Sequence, residues 1–161
     1  MTTTSDRTEL RVNLFSWPDG YRTLSAVEEA LLETNVDVKL HQLVALRVSQ
    51  INGCAYCIDM HSKDARGLGE TEQRLYLLNA WRETTFFTDR ERAALALAED
   101  MTRLPHHDVP DATVDEAKRH FDDDELTKLV YGIALANAWN RIAITSRPRV
   151  GGHKSRFGKD A

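Results

Sequence analysis

The chain has 161 residues, 42% hydrophobic and 29% charged, with a formal net charge of −4. Those figures fit one globular domain with a core of its own, and the acidic balance gives no general reason to bind nucleic acid or an anionic membrane. No apolar run approaches the roughly 20 residues needed to span a bilayer. The opening stretch MTTTSDRTELRV also lacks the basic start and apolar run of a signal peptide, so a cytoplasmic location is expected.

Helical spacing dominates the chain, and no convincing alternating strand is found. The first predicted helix runs from about Gly20 to Thr34, with Leu24, Val27, Leu31 and Leu32 inward and Asn35 as its stop. Asp37 caps a second helix whose apolar face is Leu40, Leu43, Val44, Val48 and Ile51. Asn52-Gly53 ends it, since both residues tolerate a left-handed backbone. A third helix carries the stretch from Cys54 to about Arg66 and breaks at Gly67 and Gly69.

Thr71 opens a fourth helix through Leu75, Leu78 and Trp81. Thr88-Asp89-Arg90-Glu91 is a capping box that starts an alanine-rich helix reaching about Arg103. Pro105 to Pro110 connects it to a short helix from about Ala112 to Phe121. Asp123-Asp124-Glu125 sets negative charge at the start of the last long helix, favourable against its dipole, and Pro148 lies beyond its end. The tail of residues 148–161 is basic and glycine-containing and is expected to be mobile. The expectation is a single all-α domain over residues 1–161, with six to seven helices and a core at about 15–147.

The chain's two cysteines, Cys54 and Cys57, are followed four residues later by His61. On a helix, residues three and four apart share a face, so the two thiols and the imidazole converge. Cys54 falls in the first turn, where free N–H groups and the positive dipole end favour a thiolate. In a reducing compartment so close a pair is more often catalytic, redox-active or metal-binding than structural. The chemistry suggested is two-electron redox: a thiolate attacks an electrophilic oxygen or sulfur, a sulfenic acid forms with a peroxide, and the second cysteine condenses with it. An external reductant then restores the dithiol.

Other readings compete. An inert buried pair is one. A zinc site is another, but only Cys54, Cys57 and His61 are local, and His41 or His120 would have to supply a fourth ligand. Haem attachment is disfavoured because Ile58, not His, follows Cys57. No βαβ pattern surrounds the pair, which argues against a thioredoxin fold. No nucleotide, flavin or haem motif is present, and neither a cofactor nor a metal is expected.

The segment from Leu43 to His61, with Ser49-Gln50-Ile51-Asn52-Gly53 ahead of the cysteines, closely resembles the core motif of the AhpD-like alkylhydroperoxidases of the carboxymuconolactone decarboxylase superfamily. The stretches Leu78–Thr84, Glu91–Leu95 and Asn137–Arg141 are also similar to that group. The resemblance covers roughly residues 15–147. It implies an all-α fold, homo-oligomers (dimers, trimers or hexamers) and reduction of a hydroperoxide substrate at the expense of a thiol or dithiol reductant. By position, Cys57 resembles the peroxidatic cysteine, Cys54 the resolving cysteine and His61 the relay histidine. Two positions depart from the pattern: Gln42 stands where the family has a relay Glu, and Tyr56 stands between the cysteines where the best-known members have His. Glutamine hydrogen-bonds but cannot act as a base.

His41 is read as a surface histidine that only in the sharper reading faces the cysteines. Asp59 is assigned to solvent or an interface. Trp81 and Trp139 are read as core or subunit contacts, and Asn137 and Asn140, on a buried-looking helix, need partners, conceivably across a subunit interface. His106 and His107 are placed in solvent. Two further functions stay open beside the peroxidase: a γ-lactone decarboxylase like the other branch of the superfamily, and a redox sensor in which oxidation of the pair changes assembly.

Overall fold

The computed structural model describes residues 10–34 and 37–158, and within them every regular element is a helix. In chain order they are α1 (Pro18–Leu32), α2 (Val38–Asn52), α3 (Ala55–Gly67), α4 (Glu72–Leu77), α5 (Asp89–Arg103), α6 (Asp111–Lys118) and α7 (Asp123–Ser146). The all-α expectation is met with seven helices. Single 3-10 segments precede α1 at Leu14–Ser16, continue α4 at Leu78–Glu83 and follow α5 at Pro105–His107. The stop assigned to Asn35 lies outside the described residues.

The caps form where short polar side chains offer an acceptor to free N–H groups. Asp37 accepts from Leu40 N, Thr71 from Arg74 N, and Thr88 and Glu91 form the capping box of α5. A second capping box, Asp122 with Glu125, opens α7. The fourth helix is shorter than its apolar spacing suggests. The backbone leaves helical geometry at Ala80 (φ −119°, ψ 26°), and the indole of Trp81 turns inward so that Nε1–H donates to Glu99 at 3.1 Å.

α2 is the central element, packed against α3, α5 and α7. Every residue from Leu40 to Ser49 is buried, which is why its sequence is apolar on more than one stripe. Leu40, Val44 and Val48 join a core with α5, α6 and α7, while Leu43 and Leu46 join a second core with Leu75, Leu78, Trp81 and Leu95. Leu40, Leu43, Val44, Leu46 and Val48 are large apolar side chains, each worth about 1.5–3 kcal/mol when fully buried, which makes α2 a major contributor to stability. Two of the polar groups it carries inward are fully matched, while the Gln42 Nε2 amide is buried with no hydrogen-bond partner among the described residues. Arg47 meets the Glu99 carboxylate at 2.6 Å, and Ser49 Oγ donates to the Ala45 carbonyl at 2.7 Å.

α1 departs from its expected packing. Leu31 is buried, but Val27 is exposed and the helix lies chiefly along α7. Of the tail at 148–161, the described residues 148–158 lie against α3. Lys63 Nζ donates to Gly151 O (3.1 Å), Gly151 N–H donates to Asp59 Oδ2 (3.2 Å), and the His153 ring nitrogen sits 2.9 Å from the buried Asp64 Oδ1. Asp59 therefore faces this stretch. The absence of a side chain on Gly67 lets the chain approach closely, since a Cβ there would fall 2.3 Å from Phe157 O.

Candidate active site

The site begins with a sharp reversal between α2 and α3. Gly53 takes the left-handed conformation (φ 70°) that a Cβ would disfavour, and Cys54 N–H donates to Ser49 O at 3.0 Å. The reversal is tied down by amides. Asn52 Nδ2 donates to Asn137 Oδ1 (2.9 Å) and Asn140 Oδ1 (3.0 Å), and Asn140 Nδ2 donates to Ser49 Oγ (3.1 Å). The partners of Asn137 and Asn140 are therefore inside the chain, and an intersubunit role is not needed to satisfy them.

Cys54 is the N-cap of α3 rather than a residue of its first turn, and its Sγ accepts from Cys57 N–H at 3.3 Å. Cys57 follows within the first turn. The two sulfurs are joined in a disulfide with the Cα atoms 5.3 Å apart, and both residues are buried. One turn on, His61 is buried with its Nδ1 2.8 Å from Gln42 Oε1 on α2. An amide oxygen only accepts, so Nδ1 carries the hydrogen and the lone pair is on Nε2. Burial pushes the His61 pKa down to about 4, helped by the charge of His41 and opposed by Glu28 and Asp64. At neutral pH the ring is uncharged, a base and not an acid.

A cavity of about 340 Å³ opens beside this group. Phe15, Tyr21, Tyr56, Trp139, Met60 and Ile142 make it mostly apolar, while Glu28, His41, His61 and Arg156 bring charge or imidazole nitrogen. Cys57 lines it and Cys54 does not. His41, read from sequence as a surface residue, is buried, and its Nε2 lies 3.2 Å from Glu28 Oε1. Burial opposes ionisation of Glu28, but the hydrogen bond from His41 and the nearby positive charges outweigh it and hold its carboxyl below the usual range.

Of the residues singled out in sequence, Cys54, Cys57, His61 and Gln42 are brought together. Trp139 joins the cavity wall, whereas Trp81 belongs to the core. His120 bonds Glu116 and does not line the cavity, and among the described residues no cluster of three or more His, Cys, Asp or Glu side chains has the arrangement to hold a metal. Glu28 and Arg156 were not singled out. Glu28 was visible in principle, lying four residues after Leu24 and three before Leu31 on the face predicted to point inward. Nothing local marks Arg156.

The chain matches the carboxymuconolactone decarboxylase family over residues 18–100. It belongs to that family. It is 42% identical over 127 residues to the uncharacterised protein YdfG of Bacillus subtilis, covering 79% of this chain and 86% of the relative. A solved Agrobacterium tumefaciens protein of unknown function, suggested to be the antioxidant defence protein AhpD, superposes with a TM-score of 0.85 at 33% identity, covering 90% of this chain and all of the other. The debrominase Bmp8 shares the fold at a TM-score of 0.74 and 20% identity, covering 84% of this chain and 73% of that one. The family is one that includes enzymes, and the AhpD-like helical architecture is the one seen here. Among the described residues no helix is long and apolar enough to cross a membrane.

Proposed function

We propose that this protein is a cytoplasmic, thiol-dependent hydroperoxide reductase that cycles Cys54 and Cys57 between dithiol and disulfide. The reading is carried by one observation: of two sulfurs close enough to bond, only Cys57 lines the apolar cavity, beside an uncharged imidazole. Cys57 is thus assigned the first attack. His61 Nε2 takes the thiol proton. The thiolate attacks the terminal oxygen of the hydroperoxide, the O–O bond breaks, and Cys57 becomes a sulfenic acid while the alkoxide leaves. Cys54, whose sulfur accepts the Cys57 N–H at the helix N-terminus, is suited to form a thiolate, attack the Cys57 sulfur and release water. An external dithiol restores both thiols. Gln42 holds the His61 tautomer without charging it.

The partners assigned are the hydroperoxide, a thiol or dithiol reductant and further copies of the same chain, with no cofactor.

The test is thiol counting on reduced protein treated with excess cumene hydroperoxide. About two thiols per chain disappear, Cys57→Ser abolishes turnover, and Cys54→Ser leaves a sulfenic acid that dimedone traps. Survival of both thiols in the folded protein ends the proposal. The family's name makes γ-lactone decarboxylation the second reading. That reaction uses neither sulfur, so activity on such a lactone acid in a Cys54→Ala/Cys57→Ala protein would replace the first reading with it.

A further inference from the structure

The peroxidase reading leaves Glu28, His41 and Arg156 in the cavity without a task, and the first two are paired. Glu28 comes from α1 and His41 from the first turn of α2, so two separate elements send an acid and an imidazole into one space. The carboxylate of Glu28 only accepts, so His41 Nε2 carries a hydrogen toward it at 3.2 Å. The other ring nitrogen, Nδ1, has no hydrogen-bond partner among the described residues. It lies against Gly132 in the middle of α7, another cavity-lining residue, where a Cβ would come within 3.0 Å of Nδ1 and 3.2 Å of Cε1. Glycine inside a helix costs about 1 kcal/mol relative to alanine, and here it leaves the imidazole its room. A ring held by a carboxylate on one nitrogen, with the other left free toward a substrate space, is the arrangement by which an oriented acid–base group works.

The geometry points to His41, oriented by Glu28, as the acid that protonates the alkoxide leaving group when a hydroperoxide reacts at Cys57. The inference rests on the peroxidase reading and divides the proton work between two imidazoles. His61 accepts the proton of the Cys57 thiol. As the O–O bond breaks, the terminal oxygen and its hydrogen stay on sulfur as the sulfenic acid. For this step His41 starts as an imidazolium, with one hydrogen on Nε2 toward Glu28 and one on Nδ1. The other oxygen departs with the bonding electron pair and takes the Nδ1 proton, leaving as an alcohol. His41 ends neutral, its Nε2–H still donating to Glu28. The proton held by His61 returns to His41 through solvent, so no net proton is lost. Sulfur is oxidised by two electrons and the peroxide reduced by two. Gln42, an amide where an ionisable group would otherwise stand, takes no part in this exchange.

The decisive experiment is a single turnover of the fully reduced full-length chain with cumene hydroperoxide, reading loss of thiols against time. It compares wild type with His41→Ala, His41→Gln and Glu28→Gln, each checked for folding by circular dichroism. His41→Ala is expected to slow disulfide formation about 100-fold or more, the usual scale for a general acid, and added imidazole is expected to recover at least about tenfold of it. Glu28→Gln, on the peripheral α1, is expected to slow it by about tenfold and keeps the test decisive should neither His41 variant fold. Rates within twofold of wild type in the folded variants overturn the inference and leave the peroxidase reading standing. A slow His41→Ala that imidazole does not rescue also overturns it, by making the ring structural. A wild-type chain whose thiols do not react overturns both.

Discussion

Gln42 Oε1 lies 2.8 Å from His61 Nδ1, and this neutral contact fixes the tautomer of an imidazole that burial keeps uncharged. A carboxylate in the same place would favour the imidazolium instead. Gln42→Glu is therefore expected to raise the His61 pKa above its present value of about 4. The check is an NMR titration of the ring protons, with His61→Ala used for assignment. An unmoved titration would show that the contact is too weak to control the ring.

The same depressed value has a consequence for stability. His61 binds its proton less readily folded than unfolded, so the unfolded chain takes up protons first as pH falls. Stability is then complete above the ordinary histidine range near 6.5 and declines as pH drops from there toward about 4. Urea denaturation midpoints between pH 7.5 and 4 should fall in wild type and fall less steeply in His61→Ala.

Glu99 governs a lower window. Burial opposes its ionisation, yet its carboxylate accepts from Arg82, Arg47 and Trp81, with Arg103 at 2.9 Å, and its pKa is held at about 2. This contribution is present above the ordinary carboxylate range and is lost as pH falls through that range toward about 2. Glu99→Gln strands the buried Arg47 guanidinium and is expected to cost about 3–5 kcal/mol at neutral pH. Urea unfolding would measure it. A loss below about 1 kcal/mol would mean the three arginines find other partners.

Gly67→Ala aims at the stretch 148–158. Its new methyl would meet Phe157 backbone at under van der Waals distance, and backbone cannot yield as a flexible side chain does. The expected result is release of this stretch, seen as faster trypsin cleavage at Lys154 and Arg156, with the helical circular dichroism unchanged. Wild-type cleavage kinetics in the variant would show that the contact at Gly67 does not hold the stretch.

Much of the fold was legible because its signals are local. Asp37, Thr71 and the Thr88–Glu91 box announce helix starts within four residues, and Gly53 announces the reversal that sets the cysteines. The convergence of Cys57 and His61 follows from helical spacing, and Cys54 joins them as the cap of the same helix. What was not legible depends on groups distant in sequence. The early end of α4 is decided by Trp81 reaching Glu99, eighteen residues on. The placement of 148–158 depends on Asp59, Asp64 and Gly67. His41 was misread because a polar residue beside Gln42 looks solvated until α1 supplies Glu28. The inward face assigned to α1 was only partly realised, since a period of 3.6 marks an apolar stripe without saying what covers it.

The enclosure of α2 has a mechanical consequence. His41 and Gln42 ride on the segment whose amide protons should be the last to exchange with solvent, so their spacing is fixed by the best-protected part of the molecule. α7 lines the cavity through Gly132, Trp139 and Ile142, and the rest of the rim comes from α1 and the 148–158 stretch, which share little of either core. Traffic of solutes to the sulfur therefore falls to the periphery, and changes there should alter how fast molecules arrive and depart while leaving the reacting groups in register.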